Sequence, residues 1–573
     1  MKEKQYPTNK RGGIFTQTTL STIVAAFTLV AAQNAKAIDW DGGGDGISFG
    51  DAANWAGDAV PDATQEAALG ANSATMSSSA FAVDWVSATS GSLTMTGGSV
   101  TMDYAAGFGA NFGTADGATL TMSGSSLITM SNMNIWRIGS GSYSGTVILD
   151  MSDDAAIVRN GGSYLVLGNG NFAGTMSGNS SISSDASEFF IGDSNGNAQT
   201  ATLDMSDASS ISVTGGRLLV GQGALTNTTI NLNDTASISI TSSGSVIGAG
   251  GTGTINLYGS SSVSNTSTDA FVIASGGGTG TVNLYGSSTF DAEYVKVGDN
   301  GASALVTIND SASMNVADLT IGHYAGTAAS GTVDVNGASA SLEAGNIIMG
   351  RDDSAGGAMS GYLNINGGTV ITNSIQHGGG DAGTAQVVTV DAGTIQAASD
   401  TTEFFSDTAS PSSNIELMVN IAGGGMTFDT AGFNVATAQS FTGDGGMTKA
   451  GEGTLTLSGE STFAGGMTVL EGTLSLESAA ALTSSSILDL ASNVAFEMFY
   501  GDDNLTISAL LVDGVDTGLT GTFTAAQLAA EISGVTITGD SASTLTIGAI
   551  PEPSVVALSG LMLLGLLRRS RRA

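Results

Sequence analysis

The chain has no cysteine, only five prolines in 573 residues, and only two histidines. Without cysteine there is neither a disulfide framework nor a thiolate metal site. With His323 and His377 alone, a multi-histidine metal centre or a Ser-His-Asp triad has little to draw on. Positive charge is equally scarce. Between Ile38 and Ile550 the basic residues are Arg137, Arg159, Arg217, Lys296, Arg351 and Lys449, six against 49 acidic ones, a net charge of −43. A surface of that sign repels phosphate backbones and anionic lipid heads, which argues against a nucleic-acid partner or peripheral membrane binding. It also leaves little to neutralise uronate carboxylates, as polysaccharide lyases must. A chain of this size without disulfides is held by backbone pairing and core burial alone.

What is present is glycine, 83 residues, and a 41% apolar share arranged in short alternating runs. That alternation is the signature of strands. A unit of the form apolar-x-apolar-x-(Gly/Asp) recurs with its turn residue at Gly97, Gly124, Asp153, Gly178, Asp207, Asp234, Gly259, Gly286, Asp310, Gly337 and Gly367, with a weaker member at Ala392. The mean spacing is about 27 residues. A second marker, an apolar residue followed by glycine, keeps step at Gly139, Gly168, Gly192, Gly221, Gly248, Gly298, Gly322 and Gly350. Each unit reads as two or three short strands separated by turns, too small to bury its apolar face alone. Stacking solves that problem. The pattern predicts an all-β, right-handed parallel β-helix with short caps, and a β-propeller is the main competitor, although its blades need about 40 residues or more.

Both ends read as export signals. Lys2, Lys4, Lys10 and Arg11 precede a moderately apolar stretch, Leu20 to Ala32, and Ala35 and Ala37 bracket a small-x-small cleavage site. This predicts a signal peptide over 1–37, handled by the general secretion machinery and signal peptidase, with a mature chain starting at Ile38. At the other end Pro551, Glu552 and Pro553 open a mostly apolar run to Leu567, followed by Arg568, Arg569, Arg571 and Arg572. From Pro551 such a helix would be roughly 25 Å long, enough to span most of a hydrocarbon layer with the arginines at its cytoplasmic end. The order Pro-Glu-Pro, short span and arginine cluster resembles the PEP-CTERM sorting signal of Gram-negative bacteria. The resemblance implies recognition by exosortase, a membrane protease-transpeptidase, and cleavage near Pro551-Glu552-Pro553. It places the sorting signal over 548–573 and makes the C-terminal transmembrane helix a transient anchor of the precursor.

Within the body, 443–474 contains Gly453, Thr454, Leu455, Thr456, Leu457, Ser458 and Gly459, closed by Gly472, Thr473 and Leu474. It resembles an autotransporter-associated β-strand repeat, departing at Ser461 for Asn, Phe463 for Tyr, and Met447 and Met467 for Leu and Thr. The resemblance implies a β-helical passenger-type domain. The organisation expected is an N-terminal cap over 38–90 that includes Trp40 and Trp55, regular coils over 91–400, further coils over 401–479, and a C-terminal cap over 480–547. In that cap Thr524 is the expected N-cap of one short helix, 524–532.

Candidate sites are thin. Both histidines fall at or just after turn positions and read as solvent-exposed turn residues. Asp352 with Asp353 and Asp502 with Asp503 are adjacent, so they point to opposite faces of a strand and do not converge as glycosidase carboxylates must. Asp41, Asp45, Asp352 and Asp353 lie in glycine-rich or polar loops and are weak candidates for structural Ca²⁺. Tyr258 and Tyr285 share one repeat position and are expected to stack, as a packing ladder in preference to a sugar platform. The sequence therefore points to a non-enzymatic cell-surface or extracellular-matrix protein linked to exopolysaccharide or biofilm, the association that PEP-CTERM resemblance carries. The alternatives are an adhesin or glycan-binding β-helix and, behind it, a polysaccharide lyase or hydrolase.

Overall fold

A computed structural model describes residues 37–103, 110–140, 145–194, 198–324, 327–352, 358–378, 385–406 and 417–548. Apolar residues alternate along each strand and turn inward. In Thr252–Leu257, for example, Ile255 and Leu257 are fully buried while Thr254 and Asn256 face outward. Successive coils pair in parallel with equivalent residues in register, such as Ile255 with Val282 and Leu257 with Leu284. The result is a three-faced parallel β-solenoid with an apolar lumen. Its first face is a fifteen-stranded parallel sheet from Ser73–Met76 to Phe441–Thr442, roughly 70 Å long at about 4.8 Å per coil. The second face forms an unbroken ladder from Ala80–Val83 to Ala509–Val512. A propeller would break into separate blades.

The first marker is the left-handed turn between the first and second faces. Asp153, Asp207, Asp234 and Asp310 have φ of 56–58°, a conformation that L-residues other than Asn and Asp rarely adopt. Their carboxylates offset that strain by accepting a hydrogen bond from the preceding coil: Asp153 from Gly124 N at 2.9 Å, Asp207 from Gly178 N at 2.9 Å, Asp310 from Gly286 N at 3.0 Å. This is why aspartate can alternate with glycine in the repeat. Gly97 is the exception, because its neighbour Gly98 takes the positive φ of 78°. Two residues on, the chain turns into the lumen at a corner that admits only small side chains: Ser126, Ala155, Ser180, Ser209, Ala236, Ser261, Ser288 and Ala312 are all fully buried.

The second marker ends the third face. Gly248 has φ 74°, and a Cβ there would lie 2.2 Å from Thr279 O of the next coil. The marker skips one coil in the sequence because Ala274 occupies that place, at φ 64°.

The first coil of the ladder is short, 19 residues from Ser73 to Ser92 against 27 from Ser92 to Thr119, and the cross-section changes twice more. Upstream, five residues separate Asn265 from Phe271, whereas their register partners Ala292 and Val295 are separated by two. The second and third faces there fuse into single long strands, Thr289–Asp299, Ser313–Tyr324 and Ser341–Asp352. Downstream of Thr442 the first-face strand is lost and coils shorten. Met426, Met447 and Met467 stand in register only 21 and 20 residues apart, against 27 between Ile211 and Ile238.

The ends are closed. Trp40 and Phe49 each meet Trp55 edge to face at 5.0 Å, and Trp55 Nε1 donates to Phe49 O at 2.8 Å. The regular ladder already begins at Ser73, within the segment expected as cap. At the other end Gly521–Thr524 pairs antiparallel with Thr544–Ile547. The helix α1, Ala525–Glu531, starts on Thr524 with a full capping box. Residues 551–567, expected to cross a membrane, lie outside the described residues. Among the described residues no helix is long and apolar enough to do so.

Candidate functional site

The outer side of the first face is a polar ladder. Asp204, Asn231, Asn256, Asn283 and Thr307 follow one another in register. Asn231 donates to Asp204 at 2.6 Å, Asn256 to Asn231 at 2.8 Å, Asn283 to Asn256 at 2.8 Å and Thr307 to Asn283 at 2.8 Å. Every link points to the preceding coil. Beside this ladder Tyr258 and Tyr285 stack at 5.2 Å with 8° between their planes. The facing sides of the two rings are spent on each other, so this pair is a packing ladder and offers a sugar little aromatic face.

The histidines differ from the sequence expectation. His323 is 2% exposed and His377 is 1% exposed. His377 stands in register with Met349, so it occupies a lumen position otherwise held by Val297, Ile321 and Met349. His323 lies at the corner after Gly322, beneath two neighbouring groups. Its Nδ1 is 2.6 Å from Asp299 Oδ1 and its Nε2 is 3.3 Å from Lys296 Nζ. Lysine can only donate, so Nε2 accepts and Nδ1–H donates to the carboxylate. Ser275 Oγ bonds Asp299 at 3.4 Å. The nitrogen that would activate a nucleophile is already occupied by Lys296, so the arrangement is an inter-coil latch.

Two of the scarce cations are buried outright, and nothing in their charge announces it. Lys449 is fully buried in the lumen column that holds Phe428 before it and Val469 after it. Its Nζ donates to Thr430 Oγ1 at 3.1 Å, Ala450 O at 3.0 Å, Gly451 O at 2.6 Å and Glu471 O at 3.0 Å. Burial pushes its ammonium down to about 8, against the pull of Asp429 and Glu471. Arg159 is 1% exposed and reaches only Met133 O and Asn134 O, leaving Nε and Nη1 without a partner. Burial lowers its guanidinium to about 10. A signal was available for both: each sits where the alternation calls for an apolar residue, Lys449 after Met447 and Arg159 after Ile157.

Of the calcium candidates, Asp41 and Asp45 lie in the N-terminal cap loop. Asp41 Oδ1 accepts from Gly43 N at 3.0 Å, and Asp45 Oδ1 accepts from Ile47 N, Ser48 N and Asn54 Nδ2 at 2.7–2.9 Å. Bonds from Ser48, Ile47 and Asn54 hold the Asp45 carboxyl well below the usual range. These carboxylates knit the cap loop. Asp352 ends its strand in register with Tyr324, and its side chain and Asp353 lie outside the described residues. Asp502 and Asp503 are exposed in a turn. Among the described residues no three His, Asp or Glu side chains are grouped to hold a metal.

Two large surface cavities lie along the outside of the coils. One, about 290 Å³, lies where the five-residue connection is lost, and is lined by Asn265, Asp291, Glu293, Asn315 and Glu343. The other, about 580 Å³, lies where the third face is displaced, between Thr402 and Glu477.

Residues 447–476 match the passenger-associated-transport-repeat family. In the fold this segment is one short coil and the first two strands of the next: Met447–Ala450, Thr454–Leu457, Met467–Val469 and Thr473–Leu476. No curated protein and no solved structure matches the chain. Ala35 and the residues Pro551, Glu552, Pro553, Arg568, Arg569, Arg571 and Arg572 lie outside the described residues.

Proposed function

We propose that the protein is an exported, non-enzymatic rod of the cell surface or extracellular matrix. It leaves the cytoplasm through the signal peptide cut after Ala37 and is processed by exosortase near Pro551-Glu552-Pro553. Its extracellular setting is exopolysaccharide or biofilm. The observation that carries this reading is continuity. The segment similar to a passenger repeat is not a separate module but stacks on the long coils, with Met426, Met447 and Met467 in one ladder. A repeat of exported passenger type built into a single rod supports a surface role for the whole. The acidic body keeps such a rod soluble and apart from anionic lipid.

Fractionation of the native host with intact-mass analysis of the protein tests the reading. The expected product is extracytoplasmic, begins at Ile38 and lacks the C-terminal arginines. A full-length mass in the cytoplasmic fraction would refute it.

A further inference from the structure

The downstream cavity arises from a dislocation in the third-face ladder. The strand at Phe405 and Ser406 pairs with Ile375 and Gln376 of the preceding coil. The following third-face strand, Val435–Thr437, opens a different sheet. It meets its predecessor through Thr401, bridged to Val435, through the bond from Phe404 N to Ala436 O at 3.0 Å and through that from Asn434 N to Asp400 Oδ1 at 2.7 Å. From there the ladder is regular again, Ala436 to Thr456 to Ser475. The displaced segment stands off the coils below it and leaves a cleft of about 580 Å³, within the range of sites that take small ligands.

Glu403 sits at one end of this cleft and Glu477 at the other, with Thr456 and Ser458 between them and Phe405 also in the lining. The ends are about three coil spacings apart, ~14 Å along the rod. Both carboxylates are exposed, and among the described residues neither is engaged by another side chain. The lining contains no cation. Acceptors at both ends, the Thr456 hydroxyl, a Ser458 Oγ that gives its proton to Thr437 O at 3.3 Å and is left to accept, and the methyl groups of Ala436 and Ala438 suit a ligand with a row of hydroxyls and C–H faces. An anionic ligand would meet two uncompensated carboxylates.

We propose that this cleft binds a neutral oligosaccharide of about three or four units lying along the rod axis. The inference concerns the purified chain and stands or falls apart from where the cell places it.

Titration calorimetry of the mature chain against a panel of neutral tetrasaccharides, cellotetraose and chitotetraose among them, tests it. Tetragalacturonate and tetralysine serve as charged controls. At least one neutral tetrasaccharide is expected to bind and the uronate is not. Glu403→Gln and Glu477→Gln, exposed and isosteric, are each expected to weaken binding severalfold, and Ser458→Leu about tenfold or more. Tyr285→Ala should leave it unchanged. The Glu variants keep the test independent of any folding defect in Ser458→Leu. Three results would overturn the proposal: no neutral saccharide binds, tetralysine competes equally well, or neither Glu variant changes the affinity.

Discussion

The long coils between Ser92 and Met418 and the short coils after Thr442 solve the same problem differently. A long coil has three strands and an αL turn held by glycine or by an aspartate that bonds the coil before it, and from Asp204 to Thr307 a polar ladder outside. A short coil has lost the first-face strand, and with it the ladder. In its place Lys449 enters the lumen and ties Thr430 of the preceding coil to Ala450, Gly451 and the following coil's Glu471. Regularity holds the first region, and one buried cation with four acceptors helps to hold the second. Arg159, in the long coils, also reaches the preceding coil at Met133 O and Asn134 O but leaves two of its nitrogens unsatisfied.

The strongest way to break this contrast is to remove both cations. Lys449→Met leaves three carbonyl oxygens without their donor and is expected to cost about 3 kcal/mol in urea unfolding. Arg159→Met removes a half-satisfied buried charge from a coil that does not need it, and is expected to be neutral or stabilising by about 1 kcal/mol. Equal losses would erase the distinction. The pH dependence sharpens it. The folded Lys449 titrates near 8, below its ordinary value of 10.5, so between those values the folded chain binds fewer protons than the unfolded one and stability rises with pH. From pH 8 to 9.5 the wild type should therefore gain on Lys449→Met by about 1–2 kcal/mol.

Within the long coils the comparison is between Gly248 and Ala274, which hold the same place in adjacent coils. Gly248→Ala should cost about 3 kcal/mol, combining αL strain with contact against Thr279 O. Ala274→Gly should gain about 0.5 kcal/mol, since relieved strain outweighs the added freedom of the unfolded chain. The smallest effect is at the small-residue corner. Ser261→Ala and Ser288→Ala remove buried hydroxyls without partners and should each raise stability by roughly 0.5 kcal/mol in thermal unfolding.

Much of the fold was legible because the turn chemistry is local. Gly124, Asp207 and Gly259 need only their own backbone angle to be recognised, as does Thr524 ahead of α1, and the Tyr258–Tyr285 stack follows from the shared repeat position. What stayed hidden depends on neighbours in other coils. Ala274 broke the glycine marker because alanine gives no sign of a positive φ. His323 and His377 read as turn residues because the sequence does not show which corner another coil covers. Lys449 and Arg159 count in the sequence only toward the net charge, since burial of a cation also depends on acceptors in other coils, such as Thr430, Glu471 and Met133. The cleft between Glu403 and Glu477 has no local motif, because it comes from a displaced ladder.

Native-state hydrogen exchange on the wild type and Lys449→Met tests the contrast most directly. The expected result is loss of amide protection in Lys449→Met confined to 426–476, with the long coils over 199–284 as protected as in the wild type. Uniform loss along the rod, or none at 426–476, would contradict the assignment of Lys449 as the element that holds the short coils in place of the missing strand.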